Sequence, residues 1–102
     1  MTQYQKLLNE IDSNKVLVIS KDSCPNCTKI KELFDTLNIN YTVYMYTDDQ
    51  KDLLHQIKEH TKGKSFPFCY YQGKYIGSYE QIYKYSYTGK LKNFGIEYEI
   101  DF

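Results

Sequence analysis

The 102 residues contain no arginine, no alanine and no tryptophan, only two prolines and five glycines, and no apolar run of membrane-spanning length. Every basic residue is lysine, and the thirteen lysines meet thirteen acids with no long block of one sign. That balance excludes binding of nucleic acid or a membrane surface driven by net charge. No repeat or low-complexity linker divides the chain, and its length suits one domain and not two. The opening run, Met1 to Lys6, lacks the apolar stretch of a signal peptide. The expectation is a reducing, cytoplasmic compartment: a host cytosol, or a virion, were the source a virus. In such a compartment a close cysteine pair is catalytic or metal-binding more often than a structural staple.

What is present is 41% hydrophobic residues, enough for a modest core, although a mean hydropathy of −0.65 shows how much of that content is tyrosine. The frequent tyrosine, asparagine, isoleucine and lysine share AT-rich codons and read as genome bias, not function. The twelve tyrosines read as core and surface filler, because no patterned basic patch accompanies them to make a stacking platform.

Tyr4, Leu7, Leu8 and Ile11 recur at helical spacing and predict a first helix over about 2–12. Residues 15–20 are aliphatic and β-branched and predict a buried strand. Ile30, Leu33, Phe34 and Leu37 then mark a helix over about 25–37. Residues 41–46 alternate and suit a second strand. Thr47 and Gln50 have capping-box spacing ahead of a helix over about 48–60. Two short runs, 68–71 and 74–76, flank Gln72-Gly73 and predict a two-residue hairpin. Ser78 and Gln81 cap a last helix, which Gly89 ends.

The predicted order is α-β-α-β-α-β-β-α. The strand–helix–strand half pairs in parallel and the hairpin half is antiparallel. The fold class is therefore α/β, a four-stranded mixed sheet flanked by helices, with an additional N-terminal helix. Residues 1–89 form the domain, and 90–102 read as an appended tail, extended over the domain or pairing as an edge strand from Phe94 onward.

Cys24-Pro25-Asn26-Cys27 stands where the first strand ends and a helix begins. The first thiol lies at the positive end of a helix dipole, with Pro25 suited to the first helical position. A helix amino terminus and a nearby cation lower a thiol from pKa ~8.5 to ~3.5–7.5. Lys21 is the candidate cation, and it is also suited to attract a substrate carboxylate. Cys24 is the candidate nucleophile, and Cys27, inside the first helical turn, is the less exposed partner that closes the Cys24–Cys27 disulfide. The competing readings are two inert buried thiols, or a zinc half-site with His55 and His60. The separation is far longer than finger spacing, and the histidines lie five apart, off a shared helix face. Both are read as surface residues, with no metal site. Cys69 reads as a small buried hydrophobe rather than a third redox thiol.

Lys21 to Cys27 resembles the K-x-x-C-P-x-C motif of dithiol glutaredoxins, members of the thioredoxin-fold superfamily. Thr61 to Pro67 is similar to their T-G-x-R/K-T-V-P loop, and Gly73 to Glu80 to their G-x-x-I-G-G-x-D segment. Together with the element order, the resemblance covers residues 15 to about 88. Asn26 stands where tyrosine is common, Ser65 where threonine is usual, Phe66 where valine is, and Ser78 where a second glycine is.

The resemblance implies a glutathione-dependent thiol-disulfide oxidoreductase with no permanently bound cofactor and glutathione as co-substrate. Its partners would be disulfide-containing or glutathionylated proteins, ribonucleotide reductase being one family candidate, and the chain would act as a monomer. The resemblance also implies a cis peptide before Pro67, the alternative being an ordinary strand-opening proline. The Phe66 backbone would then pair with glutathione like an added strand. The backbone N–H groups of Tyr79 and Glu80 would bind the γ-glutamyl α-carboxylate at a helix amino terminus. The Glu80 carboxylate would accept from the ligand's α-ammonium, or serve only the helix dipole. Two further readings stay open: a dithiol carrier recharged by thioredoxin reductase, and an iron–sulfur cluster-bridging dimer using Cys24 and glutathione.

Overall fold

The computed structural model describes residues 2–98. In order, the elements are α1 (Gln3–Ser13), β1 (Val16–Lys21), α2 (Pro25–Thr36), β2 (Thr42–Tyr46), α3 (Lys51–Thr61), β3 (Phe68–Tyr71), β4 (Lys74–Gly77), α4 (Tyr79–Thr88) and a single-turn α5 (Lys90–Asn93). The sheet order is β2-β1-β3-β4. β1 runs parallel to β2 and antiparallel to β3, and β3 is antiparallel to β4.

Residues 16–20 of β1 are all buried, because helices cover both faces of the sheet and neither side of a central strand meets water. Leu17 and Ile19 join Leu7 and Ile11 of α1 and Leu53 and Ile57 of α3 on one face. Val16 and Val18 join Ile30 and Phe34 of α2 and Ile82 of α4 on the other. The alternation of side chains along the strand thus builds two cores from one run of sequence. The β3–β4 turn is the two-residue hairpin that Gln72-Gly73 predicts. Both residues have positive φ, 48° and 85°, as a primed turn matching strand twist requires.

Two expectations change. The helix expected from about residue 48 begins at Lys51, with Gln50 as its N-cap. Thr47 and Gln50 do interact, Thr47 N–H donating to Gln50 Oε1 at 3.1 Å and Gln50 N–H to the Thr47 carbonyl at 2.9 Å. These bonds close a turn ahead of the helix and not its first turn.

The segment after Gly89 packs into the domain. Leu91 and Ile96 are buried in the α2/α4 core, and Tyr98 Oη donates to the Ser86 carbonyl at 3.0 Å. Residues 94–98 pair with no strand; the part of that expectation resting on Ile100 and Phe102 lies outside the described residues.

Candidate functional site

β1 delivers the chain to the cysteine turn. After Lys21 the backbone turns through Asp22 and Ser23, the latter in the left-handed region at φ 58°, and Cys24 follows as the N-cap of α2. Its Sγ accepts the Cys27 N–H at 3.2 Å, and its carbonyl accepts from Cys27 N–H at 3.1 Å and Thr28 N–H at 3.3 Å. Pro25 occupies the first helical position, where its missing N–H costs nothing. The sulfur therefore takes the role that a serine or aspartate oxygen usually plays at a helix start. A donated N–H and the positive helix end both favour negative charge there.

Cys24 is half-buried, whereas Cys27 is 2% exposed and packs with Leu17 and Ile19. One thiol is reachable and the other is sheltered one helical turn behind it. Cys69 is a free thiol fully buried under α2 and α4, and desolvation pushes its pKa far up. It stays protonated and inert.

An open cleft of about 400 Å³ is lined by Lys21, Cys24, Cys27, Thr28, Lys31 and Met45, among others. Lys21, Cys24 and Cys27 thus line one cleft. Phe66 is joined to them through Lys21, whose Nζ lies 5.4 Å from the ring centroid. The Phe66–Pro67 peptide is cis, and Pro67 is buried. Tyr79 faces the cysteine helix, with Lys29 Nζ 5.9 Å from its ring centroid. Glu80 is exposed in the first turn of α4.

That helix starts as a built cap. Ser78 N–H and Ser78 Oγ both donate to Gln81 Oε1 at 2.9 Å. The first-turn amides that follow, those of Tyr79 and Glu80, have no carbonyl a turn earlier to bond. His55 and His60 are exposed on α3, His55 4.0 Å from Glu59. No group of three or more metal-ligating side chains assembles among the described residues.

Three cleft residues escape a motif search. Thr28 and Lys31 follow Cys24 by four and seven positions, one face of α2, so helical periodicity alone would have found them. Met45 enters by strand register, opposite Ser20 in the parallel ladder, and no local pattern announces it.

The glutaredoxin family model matches residues 16–76. A glutaredoxin of Vernicia fordii is 32% identical over 83 residues, covering 79% of this chain and 80% of that protein. The mitochondrial glutaredoxin-2 of Pongo abelii is 33% identical over 86 residues, covering 79% of this chain and 52% of the relative. The chain thus spans about half the length of that mitochondrial relative. A solved buckwheat glutaredoxin–glutathione complex aligns with a TM-score of 0.80 at 27% identity, covering 88% of this chain and 84% of that one. Oxidized glutaredoxin 2 from Chlamydomonas reinhardtii aligns at 0.75 and 27%, covering 88% and 87%.

Proposed function

The chain belongs to the glutaredoxin family, with its thioredoxin-like fold and thiol-disulfide oxidoreductase chemistry, and from this premise we propose that it reduces glutathione mixed disulfides and protein disulfides through Cys24 and Cys27. The observation that carries the reading is the capped sulfur: Cys24 Sγ at the head of α2, held by the Cys27 N–H at 3.2 Å and open to the cleft. The glutathione in the buckwheat complex supports glutathione as the co-substrate.

In this reading the Cys24 thiolate attacks the glutathionyl sulfur of a mixed disulfide. A Cys24–glutathione disulfide forms, the bond to the substrate sulfur breaks, and that sulfur leaves as a thiolate and takes a proton from water. A second glutathione thiolate then attacks the glutathionyl sulfur, releasing oxidised glutathione and restoring Cys24. With a protein disulfide as substrate, Cys24 attacks one of its sulfurs and the other leaves as a thiolate; Cys27 then attacks Cys24 Sγ, the intramolecular disulfide forms, and the second substrate sulfur leaves as a thiolate. Two glutathiones later reduce the Cys24–Cys27 disulfide.

Binding would use Lys21, the Phe66 backbone beside Pro67, and the amides of Tyr79 and Glu80. A carboxylate at the α4 amino terminus meets N–H groups and the positive helix end together. Glutaredoxin likeness does not name the protein substrates, so ribonucleotide reductase stays one candidate among them. Monomeric action in a cytoplasmic compartment belongs to the same proposal.

The test is turnover of the mixed disulfide of glutathione and 2-mercaptoethanol, coupled to glutathione reductase. Cys24→Ser should abolish it and Cys27→Ser should retain it. Reduction of insulin through thioredoxin reductase, with no glutathione-linked turnover, would replace this reading with a thioredoxin-reductase-coupled carrier.

A further inference from the structure

Lys21, Tyr46 and Phe66 come from three separate parts of the chain and meet on one face of the sheet beside the cysteine turn. Lys21 and Tyr46 are direct partners in the parallel β1–β2 ladder, so their side chains leave the sheet on the same side. That side is the α1/α3 face, where Tyr46 packs with Leu17 and Ile19. Phe66 lies there too, only 7% exposed. Its ring is 5.0 Å from that of Tyr46 and edge-on at 5.1 Å to Phe68. Two aromatic neighbours hold the ring still, and the Lys21 ammonium lies over it at 5.4 Å, inside cation–π range.

Lys21 also lines the cleft that contains Cys24. Lys21 and Lys31 line that cleft with a single acid, Asp22, while Asp48 lies in the adjoining groove that Lys21 also lines, so Lys21 is the cation between the sulfur and that acidic side. A lysine carries its charge on a flexible four-carbon stem, and without a fixed partner the ammonium spreads over many rotamers. The aromatic side chain at 66, where the family pattern has valine, supplies that partner.

We propose that Phe66 is a positioning residue: its ring holds the Lys21 ammonium at the rim of the Cys24 cleft, where it draws an anionic substrate group toward the sulfur. The inference rests on the proposed function only in taking Cys24 as the nucleophile. It does not require that the anion be glutathione.

The test compares two alkylating agents on the reduced full chain, each losing iodide as the Cys24 thiolate forms a carbon–sulfur bond. Iodoacetate is an anion and iodoacetamide is neutral, so the ratio of their rates at Cys24, read by mass spectrometry, cancels the thiolate fraction and most of the effect of exposure. Phe66→Leu should lower the iodoacetate-to-iodoacetamide ratio by about two- to fivefold, the scale of one exposed cation–π contact. Phe66→Tyr should keep the native ratio. Lys21→Gln should lower it, and adding Phe66→Leu to Lys21→Gln should lower it no further. A native ratio in Phe66→Leu would overturn the proposal. So would an equal drop in the Lys21→Gln background, since packing alone would then explain the effect. Phe66→Met replaces Phe66→Leu if the leucine variant does not fold. The assay contains no glutathione, so absence of glutathione-linked turnover would leave its answer intact, while alkylation appearing first at another cysteine would count against Cys24 itself.

Discussion

The Tyr71 hydroxyl donates to the Gly95 carbonyl at 3.0 Å, tying the end of β3 to the chain that follows the last long helix. Around this bond Leu91 and Ile96 are buried with Val16, Phe34 and Ile82. Tyr85 packs against Phe94 with the rings tilted by 55° and their centroids 5.8 Å apart. The segment closes the open side of the α2/α4 core.

Its removal should therefore cost the fold. Leu91→Ala, at a fully buried site, should destabilise the chain by about 2–5 kcal/mol in urea unfolding, the range for a leucine truncated in a core. Tyr71→Phe should cost about 1 kcal/mol, one hydrogen bond. A chain ending at Gly89 should lose cooperative unfolding; a native urea midpoint for that truncation would show that the segment only decorates the surface.

Gly77 should resist substitution. Its φ is +129°, and an added Cβ would stand 2.9 Å from Gln81 Cβ. The clash falls on the side chain that caps α4 by accepting from Ser78. Gly77→Ala should destabilise by about 1–3 kcal/mol through strain at a residue with positive φ. It should also raise KM for a glutathione mixed disulfide more than it lowers kcat, because the distorted amides lie at the proposed carboxylate site. Steady-state kinetics alongside thermal melts separate the two effects.

Alkaline pH should destabilise the protein, and Cys69 should contribute first. Burial raises its pKa above the ordinary thiol value of about 8.5–9. Above about that pH the unfolded chain loses a proton that the native chain keeps, so unfolding becomes easier as pH rises. One such group costs up to about 1.4 kcal/mol per pH unit. Tyr70 adds to the slope above its ordinary value of 10.0, because desolvation first, then Tyr4 and Tyr75, raise its pKa. Cys69→Ala should flatten stability between about pH 9 and pH 10, as urea midpoints across that interval would reveal. An unchanged slope would mean that Cys69 already titrates freely.

The three thiols should react in a fixed order. Cys24 is half-buried, Cys27 is 2% exposed and Cys69 is fully buried. Brief iodoacetamide treatment of the reduced chain should label Cys24 alone, with Cys27 slower by more than about tenfold and Cys69 labelled only in denaturant. Peptide mapping over time gives the order directly.

Much of this architecture is written in local pattern. Tyr4, Leu7 and Ile11 mark a helix by spacing, Gln72-Gly73 marks a primed turn by its tolerance of positive φ, and Cys24-Pro25 marks a helix start by cap chemistry. Each signal acts over a few residues, so each survives reading one stretch at a time. The start of α3 at Lys51 lies beyond what local pattern carries: Thr47 and Gln50 have the spacing of a cap, and only the backbone decides whether such a pair closes a turn or opens a helix.

Neighbouring residues alone encode the α/β order, the hairpin, the thiol pair at a strand–helix junction and the family motif around it. Tertiary structure alone decided that Leu91 and Ile96 complete a core begun at Val16, that Met45 walls the cysteine cleft, and that Phe66 meets Lys21 and Tyr46. Periodicity and turn chemistry are properties of neighbours along the chain. Contacts between residues tens of positions apart depend on which face each strand presents after the sheet has assembled, and no local pattern carries that information.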